Sequence, residues 1–233
     1  MVKVINYIDR TTDYVLLLFF LLLILIGGYT MYDTILVYDL AGGNDFKSFR
    51  PVIVDGQVEW DMSALSEDVV AWLTVDDTYI DYPVLQGNDN TEYLNKDPFG
   101  KYSLSGSIFL DARNAPDFSD SYSLIYGHHM EYGKMFGALD DFLDEEYFDA
   151  HTTGTLTVSN KVYSVKFFAC LEADASVNEI FAPTEVDGTL NYVKEHAPIL
   201  REPESDKLIA LSTCKFPQTT ERIIVFGVLK DEQ

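Results

Sequence analysis

The sequence is poor in basic residues and in cysteine. Its 233 residues include 16 Lys and Arg against 38 Asp and Glu, which gives a formal net charge of −22. A chain this acidic repels nucleic acid and anionic lipid headgroups, and it has no basic stripe, so we expect no nucleic-acid partner. Two cysteines do not make a disulfide framework, although Cys170 and Cys214 could form one bridge in an oxidising environment.

Metal-binding patterns are also lacking. The adjacent His128 and His129 point to opposite faces of an extended segment, and no third ligand stands close by. The acids of residues 135–151 lack the ligand spacing and the central Gly of a calcium loop, so we interpret them as a solvated helix face. The sequence therefore predicts neither a metal nor a cofactor.

One long uncharged segment is present near the N-terminus. Residues 14–32, YVLLLFFLLLILIGGYTMY, carry no charge. In a helix they rise about 28 Å, close to the thickness of the hydrocarbon core of a bilayer. A cleaved signal peptide is the alternative, but no A-x-A pattern follows Gly27-Gly28. Lys3 and Arg10 precede the segment and acids follow it. This bias predicts a single-pass protein of the cell membrane with a cytoplasmic N-terminus and an extracellular C-terminal part.

The composition divides the chain into three parts. We predict a cytoplasmic tail and transmembrane signal-anchor in residues 1–32, a stalk or N-terminal helical segment in 33–62, and one globular domain in 63–233. The part that follows the anchor is long enough for a single domain with a sizeable core.

Short runs rich in Tyr, Phe, Ile and Val dominate the globular part, and Gly, Asn, Asp or Pro separate them. They predict eight strands, at residues 72–76, 79–86, 106–111, 123–127, 153–160, 161–173, 207–213 and 222–230. Helices are predicted at 65–73, 135–151 and 184–200. Many short strands with few helices are typical of a β-barrel or sandwich, not of an alternating α/β sheet.

The segment LSTCKFPQTTER combines a thiol and a guanidinium at the ends of two strands. If these strands pair as antiparallel neighbours, facing residues lie about 5 Å apart at Cβ, so Arg222 can reach Cys214. A thiol with a pKa of about 8.5 is a weak nucleophile without help, and a nearby cation favours the thiolate. The guanidinium can also stabilise the oxyanion that forms when the thiolate attacks a carbonyl. Arginine cannot protonate a leaving amine, so a histidine is also needed.

The histidines differ in their positions. His151 and His196 lie near the ends of predicted helices, where a structural role is the default. In SLIYGHHM the pair follows an apolar strand and a glycine, and alternation allows at most one of the two to face a shared site. Cys170 lies within a strand, where a cysteine usually packs as a small hydrophobe.

These segments resemble the class B sortases. The resemblance lies in YGHHMEYGKMFGALDDF, LSTC, TTERIIVF and the run DYPVLQGNDNTEYLNKDPFGKYSLSGSIFLDARN, and it covers roughly residues 63–230. Sortases are membrane-anchored cysteine transpeptidases. The resemblance implies a mainly β fold, an eight-stranded sortase-type β-barrel with peripheral helices, preceded by an N-terminal transmembrane helix. It also implies that residues 63–233 form the catalytic domain.

The resemblance also assigns the site. The catalytic residues are the histidine directly after Gly, the cysteine that ends LSTC and the arginine that opens the last strand: His128, Cys214 and Arg222. The substrate groove carries over to Ser212, Leu94 and Ile180. Lys215 stands where class B members can have an acid, and the loop between the cysteine and the arginine is short. Both departures concern substrate preference.

The implied reaction is a transpeptidation. Cys214 attacks the Thr carbonyl of an N-P-x-T-x-like sorting signal on a surface protein, and an amine of a peptidoglycan precursor resolves the thioester. A pilin polymerase with a pilin lysine as acceptor is one alternative, which the lack of a long proline-rich lid segment mildly disfavours. A plain surface cysteine protease is another, although papain-like enzymes place Cys before His. A third is a membrane-tethered binding module in which Cys214 is inert.

Overall fold

The secondary structure is dominated by strands. The computed structural model describes residues 2–42, 45–55, 57–183, 188–215 and 219–231. The α-helices in these ranges are α1 (Val2–Ala41), α2 (Glu145–Ala150), α3 (Asn178–Phe181) and α4 (Thr189–His196). The strands are β1 (Val52–Val54), β2 (Gln57–Glu59), β3 (Val69–Val75), β4 (Asp81–Leu85), β5 (Ile108–Leu110), β6 (Tyr122–Tyr126), β7 (Thr153–Val158), β8 (Lys161–Asp174), β9 (Ile199–Leu200), β10 (Leu208–Cys214) and β11 (Glu221–Asp231). Short 3₁₀ helices span Lys47–Phe49, Glu92–Leu94 and Gly137–Leu143.

Eight of these strands close into a barrel. Their order is β11-β10-β6-β5-β4-β3-β7-β8, and β8 pairs back onto β11, while β9 is added at the edge of β8. The β6–β10 and β4–β5 pairs are parallel. An eight-stranded barrel is just wide enough for side chains to fill it. All eight predicted strands are present in this barrel, which confirms the predicted fold.

The predicted helix at residues 65–73 is wrong. The Ser and the acids that suggested a helix cap form a turn instead, in which the Ser66 hydroxyl accepts the backbone N–H of Asp68 at 3.3 Å. From Val69 the chain enters β3, which pairs with both β4 and β7. These two partners satisfy the backbone of a segment rich in valine, a residue that favours strands.

The other two predicted helices are shorter than expected. Residues 135–151 are divided between the 3₁₀ helix Gly137–Leu143 and α2 because Asp144 is extended, and its carboxylate accepts the N–H of Tyr147 at 2.9 Å. In the range 184–200, residues 184–187 lie outside the described residues, α4 ends at His196 and β9 follows. Pro198 accounts for this end, because a proline disfavours the helical conformation in the residue before it.

The N-terminal helix forms a compact unit of its own, which ends at Asp39. Its segment Asp9–Asp39 is long and apolar enough to cross a membrane, by length and composition. The helix continues without a break through residues 33–41, so the first part of the predicted stalk is helical.

Both faces of the wall formed by β6, β10 and β11 are buried. The barrel interior receives Ile125, Ile209, Leu211 and Val225, and the outer face carries Leu124, Ala210, Ile224 and Phe226. Ile180 of α3 and Val193 of α4 belong to the outer cluster. Because side chains alternate along a strand, the outer face of β10 continues through Ser212 to Cys214 at its end.

Candidate active site

A cleft of about 370 Å³ lies at the carboxyl ends of β6 and β10. Strands β6 and β10 run parallel, with Ser212 opposite Tyr126. His128 and Cys214 each lie two positions beyond this pair, so alternation directs both to the same side. The lining residues are Asn90, Leu94, Phe109, Tyr126, Gly127, His128, Ala175, Phe181, Ser212, Thr213, Cys214 and Arg222. The three residues that the sequence singled out for chemistry therefore share one cleft.

Cys214 and Arg222 face each other across the antiparallel β10–β11 pair. Cys214 is half-buried and its thiol is free. The Nη1 atom of Arg222 donates to the carbonyls of Thr219 at 2.8 Å and Glu221 at 3.1 Å. These bonds hold the guanidinium beside the strand end. Residues 216–218 of the intervening loop, whose shortness was noted above, lie outside the described residues.

His128 is oriented by a backbone carbonyl. Its Nε2 atom lies 2.8 Å from the carbonyl oxygen of Leu94. A carbonyl oxygen can only accept, so Nε2 must be the donor and carry the hydrogen. In the neutral imidazole, Nδ1 is then the nitrogen with a free lone pair.

His129 lies in a different environment. Its Nε2 atom is 2.7 Å from the carboxylate of Asp140, and both residues line a separate groove with Tyr79 and Tyr132. Within the described part of the chain, His128 is the member of the pair that lines the cleft with Cys214.

Buried hydrogen bonds fix the His-bearing segment against the Cys-bearing strand. The N–H of Gly127 donates to the carbonyl of Ser212 at 3.1 Å, and the Thr213 hydroxyl donates to the carbonyl of Gly127 at 2.9 Å. Each bond joins Gly127, the residue immediately before His128, to one of the two residues before Cys214. The barrel therefore sets the separation between the His128 and Cys214 side chains.

Two of the three expected groove residues line the cleft. Leu94 borders it, and so does Ser212, whose buried hydroxyl has no hydrogen-bond partner among the described residues. A buried hydroxyl without a partner is costly, which suits an atom that binds a ligand. The structure does not bring Ile180 to the cleft: it is 0% exposed in the outer core, while the neighbouring Phe181 lines the cleft.

The sequence did not point to Asn90, Tyr126 or Phe181 as cleft residues. Tyr126 could have been found, because it stands two positions before His128 and alternation places it on the same face. Burial and the neighbouring Asp111 raise the pKa of its phenol, whose hydroxyl donates to Asp111 at 3.0 Å. Burial alone would raise the pKa of Asp111, but hydrogen bonds from Arg113 and Asn90 outweigh it and hold that pKa below the ordinary value.

The two cysteines are separated by strand β11. Cys214 faces Arg222 from β10, and Cys170 faces Val225 from β8 on the other side. Adjacent strands lie about 4.8 Å apart, so two strand spacings exceed the Cα separation of less than about 7 Å that a disulfide needs. Cys170 is fully buried, which raises the pKa of its thiol.

Lys215, the departure from the class B pattern, is bound by a carboxylate. Its Nζ atom lies 2.9 Å from Glu172 of β8, and the hydrogen bond to Glu172 raises the lysine pKa. The positive charge beside Cys214 is therefore partly compensated by its own partner.

The sequence comparisons with known proteins agree on one protein family. A family model for the sortase domain matches residues 73–230. Sortase B of Listeria monocytogenes serovar 1/2a is 35% identical over 178 residues, which are 72% of this chain and 72% of that protein. Sortase B of Staphylococcus aureus is 30% identical over 173 residues, 70% of this chain and 71% of that protein.

Solved structures agree with the sequence comparisons. A Streptococcus pyogenes class B sortase involved in pilus biogenesis is similar with a TM-score of 0.67 and 41% identity, over 73% of this chain and 96% of that one. A Staphylococcus aureus sortase B–substrate complex is similar with a TM-score of 0.67 and 27% identity, over 72% of this chain and 82% of that one.

Proposed function

This chain belongs to the sortase family, within class B, and from that premise we propose that it is a membrane-anchored cysteine transpeptidase whose reaction is carried out by Cys214, His128 and Arg222. One observation carries the assignment of these roles. The parallel register of β6 and β10 directs His128 and Cys214 into one cleft, and the register of β11 places Arg222 opposite Cys214.

The first half-reaction forms a thioester. The Cys214 thiol gives its proton to Nδ1 of His128, its sulfur bonds to the Thr carbonyl carbon of an N-P-x-T-x-like sorting signal, and the carbonyl oxygen becomes an oxyanion. Arg222 donates hydrogen bonds to this oxygen. As the tetrahedral intermediate collapses, the peptide C–N bond breaks and the leaving amine takes a proton from Nδ1 of His128. The buried Ser212 hydroxyl hydrogen-bonds the bound peptide.

The second half-reaction reverses these roles. An incoming amine attacks the thioester carbonyl, its proton passes to Nδ1 of His128, and the C–S bond breaks to release Cys214. The proposed acceptor is the amine of a peptidoglycan precursor. A pilin lysine is the second candidate, because the similar Streptococcus pyogenes class B sortase is one involved in pilus biogenesis.

The N-terminal helix supports the proposed location. Helix α1 carries the apolar segment Asp9–Asp39, and the basic Lys3 and Arg10 lie near its start. We place the N-terminus in the cytoplasm, the helix in the cell membrane and residues 63–233 outside, where sorting-signal-bearing proteins and wall amines are present.

The test is acyl-enzyme formation by the full chain in detergent or nanodiscs. A quenched N-P-x-T-x peptide is supplied with or without triglycine or a lysine peptide, and products are identified by mass. We expect a thioester adduct on Cys214 and transfer to an added amine. Cleavage without transfer to any amine would identify a protease, and a protein with no adduct and no cleavage would contradict both enzyme assignments.

The two adjacent histidines provide a matched pair of variants. Loss of a general acid–base group costs about 10²- to 10⁴-fold in rate, so His128→Asn should reduce turnover by that factor. His129→Asn breaks a partly exposed pair with Asp140, which is worth about 1 kcal/mol or less, so it should keep most of the turnover. If His129→Asn is the inactive variant, the assignment of His128 is wrong.

A further inference from the structure

Asp111 is a fully buried carboxylate that takes no part in the proposed reaction. It is 0% exposed at the end of β5. It accepts hydrogen bonds from Arg113 Nε at 2.8 Å and Arg113 Nη2 at 2.7 Å, which form a two-pronged ion pair. It also accepts the Asn90 amide at 2.8 Å and the Tyr126 hydroxyl at 3.0 Å. A buried charge is tolerated when it is paired and hydrogen-bonded as fully as this.

The partners of Asp111 connect separate segments of the cleft lining. Asn90 and Tyr126 line the side built on β6 and on the segment after β4. Arg113 continues in the other direction, because its Nη2 atom also donates to the carbonyl of Phe181 at 2.7 Å. Phe181 is the last residue of α3 and also lines the cleft.

Helix α3 depends on such ties. It has only four residues, Asn178–Phe181, too few for a helix to be stable by itself. Its last two carbonyls are held by side chains from the barrel: Tyr122 donates to Ile180 at 2.9 Å, and Arg113 donates to Phe181. Of these two ties, the one from Arg113 acts on the residue that lines the cleft.

We propose that Asp111 and Arg113 are positioning residues that set the shape of the substrate cleft by tying Phe181 of α3 to Asn90 and Tyr126 in the cleft lining. Asp111 fixes the guanidinium, and the guanidinium fixes the carbonyl of Phe181. The effect on substrate binding rests on the proposed function. The effect on α3 does not, since it follows from the hydrogen bonds alone.

The experiment uses Arg113→Gln in the full chain, because the Arg113 side chain is 45% exposed and belongs to neither hydrophobic core cluster. Arg113→Lys keeps the charge but not the fork that bonds Asp111 and Phe181 together. Arg201→Gln is the matched control. Arg201 is likewise an arginine in ion pairs, in its case with Glu145 and Asp149, and it does not line the cleft.

The first readout is amide hydrogen exchange of residues 180–182, whose N–H groups donate to the carbonyls of Val177 and Asn178 at the start of α3. A hydrogen bond from a charged group stabilises the folded state more than a neutral one does. Its loss in Arg113→Gln should therefore speed this exchange about tenfold, with a smaller effect in Arg113→Lys. Arg201→Gln should leave the exchange of these amides unchanged.

The second readout separates binding from chemistry. We expect KM for the sorting peptide to rise about tenfold in Arg113→Gln, while kcat changes less than about threefold. The rate of Cys214 alkylation by iodoacetamide should stay the same, because neither Cys214 nor His128 contacts the network. Asp111→Asn should shift KM in the same direction.

Three results would overturn the inference: unchanged exchange and KM in Arg113→Gln, a fall in kcat at constant KM, or equal changes in Arg201→Gln. If the wild type does not cleave the peptide but Arg113→Gln still speeds exchange at residues 180–182, the proposed function fails. The hydrogen-bonded tie from Asp111 through Arg113 to Phe181 is then upheld.

Discussion

Gly127 offers a direct test of the coupling between the barrel and the site. A Cβ atom at this position would lie 2.4 Å from Cδ1 of Ile108 and 2.7 Å from a ring carbon of Phe136, both of which are buried. Such contacts are far shorter than carbon atoms tolerate, so Gly127→Ala forces the segment before His128 to move or the core to yield.

The expected cost has two parts. Inserting a methyl group into a packed core costs about 1–3 kcal/mol, which for a domain of this size lowers Tm by roughly 2–12 °C. Gly127 also bonds Ser212 and Thr213, so its displacement shifts His128 relative to Cys214. A misplacement of about 1 Å in a catalytic group can cost about 100-fold in rate, and we expect a loss of that order in kcat/KM.

A second substitution makes the explanation testable. Ile108→Val removes the Cδ1 atom that the new methyl group meets first, and alone it costs about 0.5–1.5 kcal/mol. Thermal unfolding and peptide turnover are measured for both single variants and the double variant. We expect the double variant to be more stable and more active than the sum of the single effects predicts. Strict additivity in both measurements would refute the steric argument.

Three further predictions concern single side chains. Iodoacetamide should modify native protein once, at Cys214, because burial raises the pKa of Cys170; a second rapid modification would contradict this. Ser212→Ala should leave Tm within about 1 °C, since the hydroxyl lacks a partner, yet raise KM about threefold or more; a lower Tm at constant KM would assign Ser212 to packing. Hydrogen bonds from the Ser176 and Thr220 hydroxyls lower the pKa of Asp174 to about 2, so the stability from this carboxylate is present above its unfolded pKa of about 3.9 and is lost as pH falls toward 2. Wild type and Asp174→Asn should therefore converge in urea midpoint over that pH window, and a constant difference would contradict it.

The strands could be predicted because their signal is local. Runs of Val, Ile, Tyr and Phe between turn residues predicted all eight barrel strands. The helix predicted at residues 65–73 failed for the opposite reason. Its Ser and acids favour a helix start locally, but pairing with β4 and β7, which are distant in sequence, decides the conformation from Val69 onward.

The candidate site likewise has some features that the sequence could predict and others that it could not. The position of Arg222 opposite Cys214 follows from antiparallel pairing of neighbouring strands, and the separation of His128 from His129 follows from alternation. The burial of Ile180 could not be predicted, because it depends on which side of a four-residue helix packs against the barrel. Asp111 gave no signal either, since its partners come together only after the barrel closes.

The parallel pairing of β6 and β10 brings distant parts of the chain to one cleft. Parallel neighbours need a long crossover, and here the crossover contains β7, β8, α3, α4 and β9. His128 and Cys214 lie at the ends of the two paired strands, on a backbone fixed by the bonds of Gly127. Ala175 and Phe181, which also line the cleft, lie in the crossover itself. A change in the part of the cleft that the crossover forms can therefore leave the backbone that carries His128 and Cys214 in place.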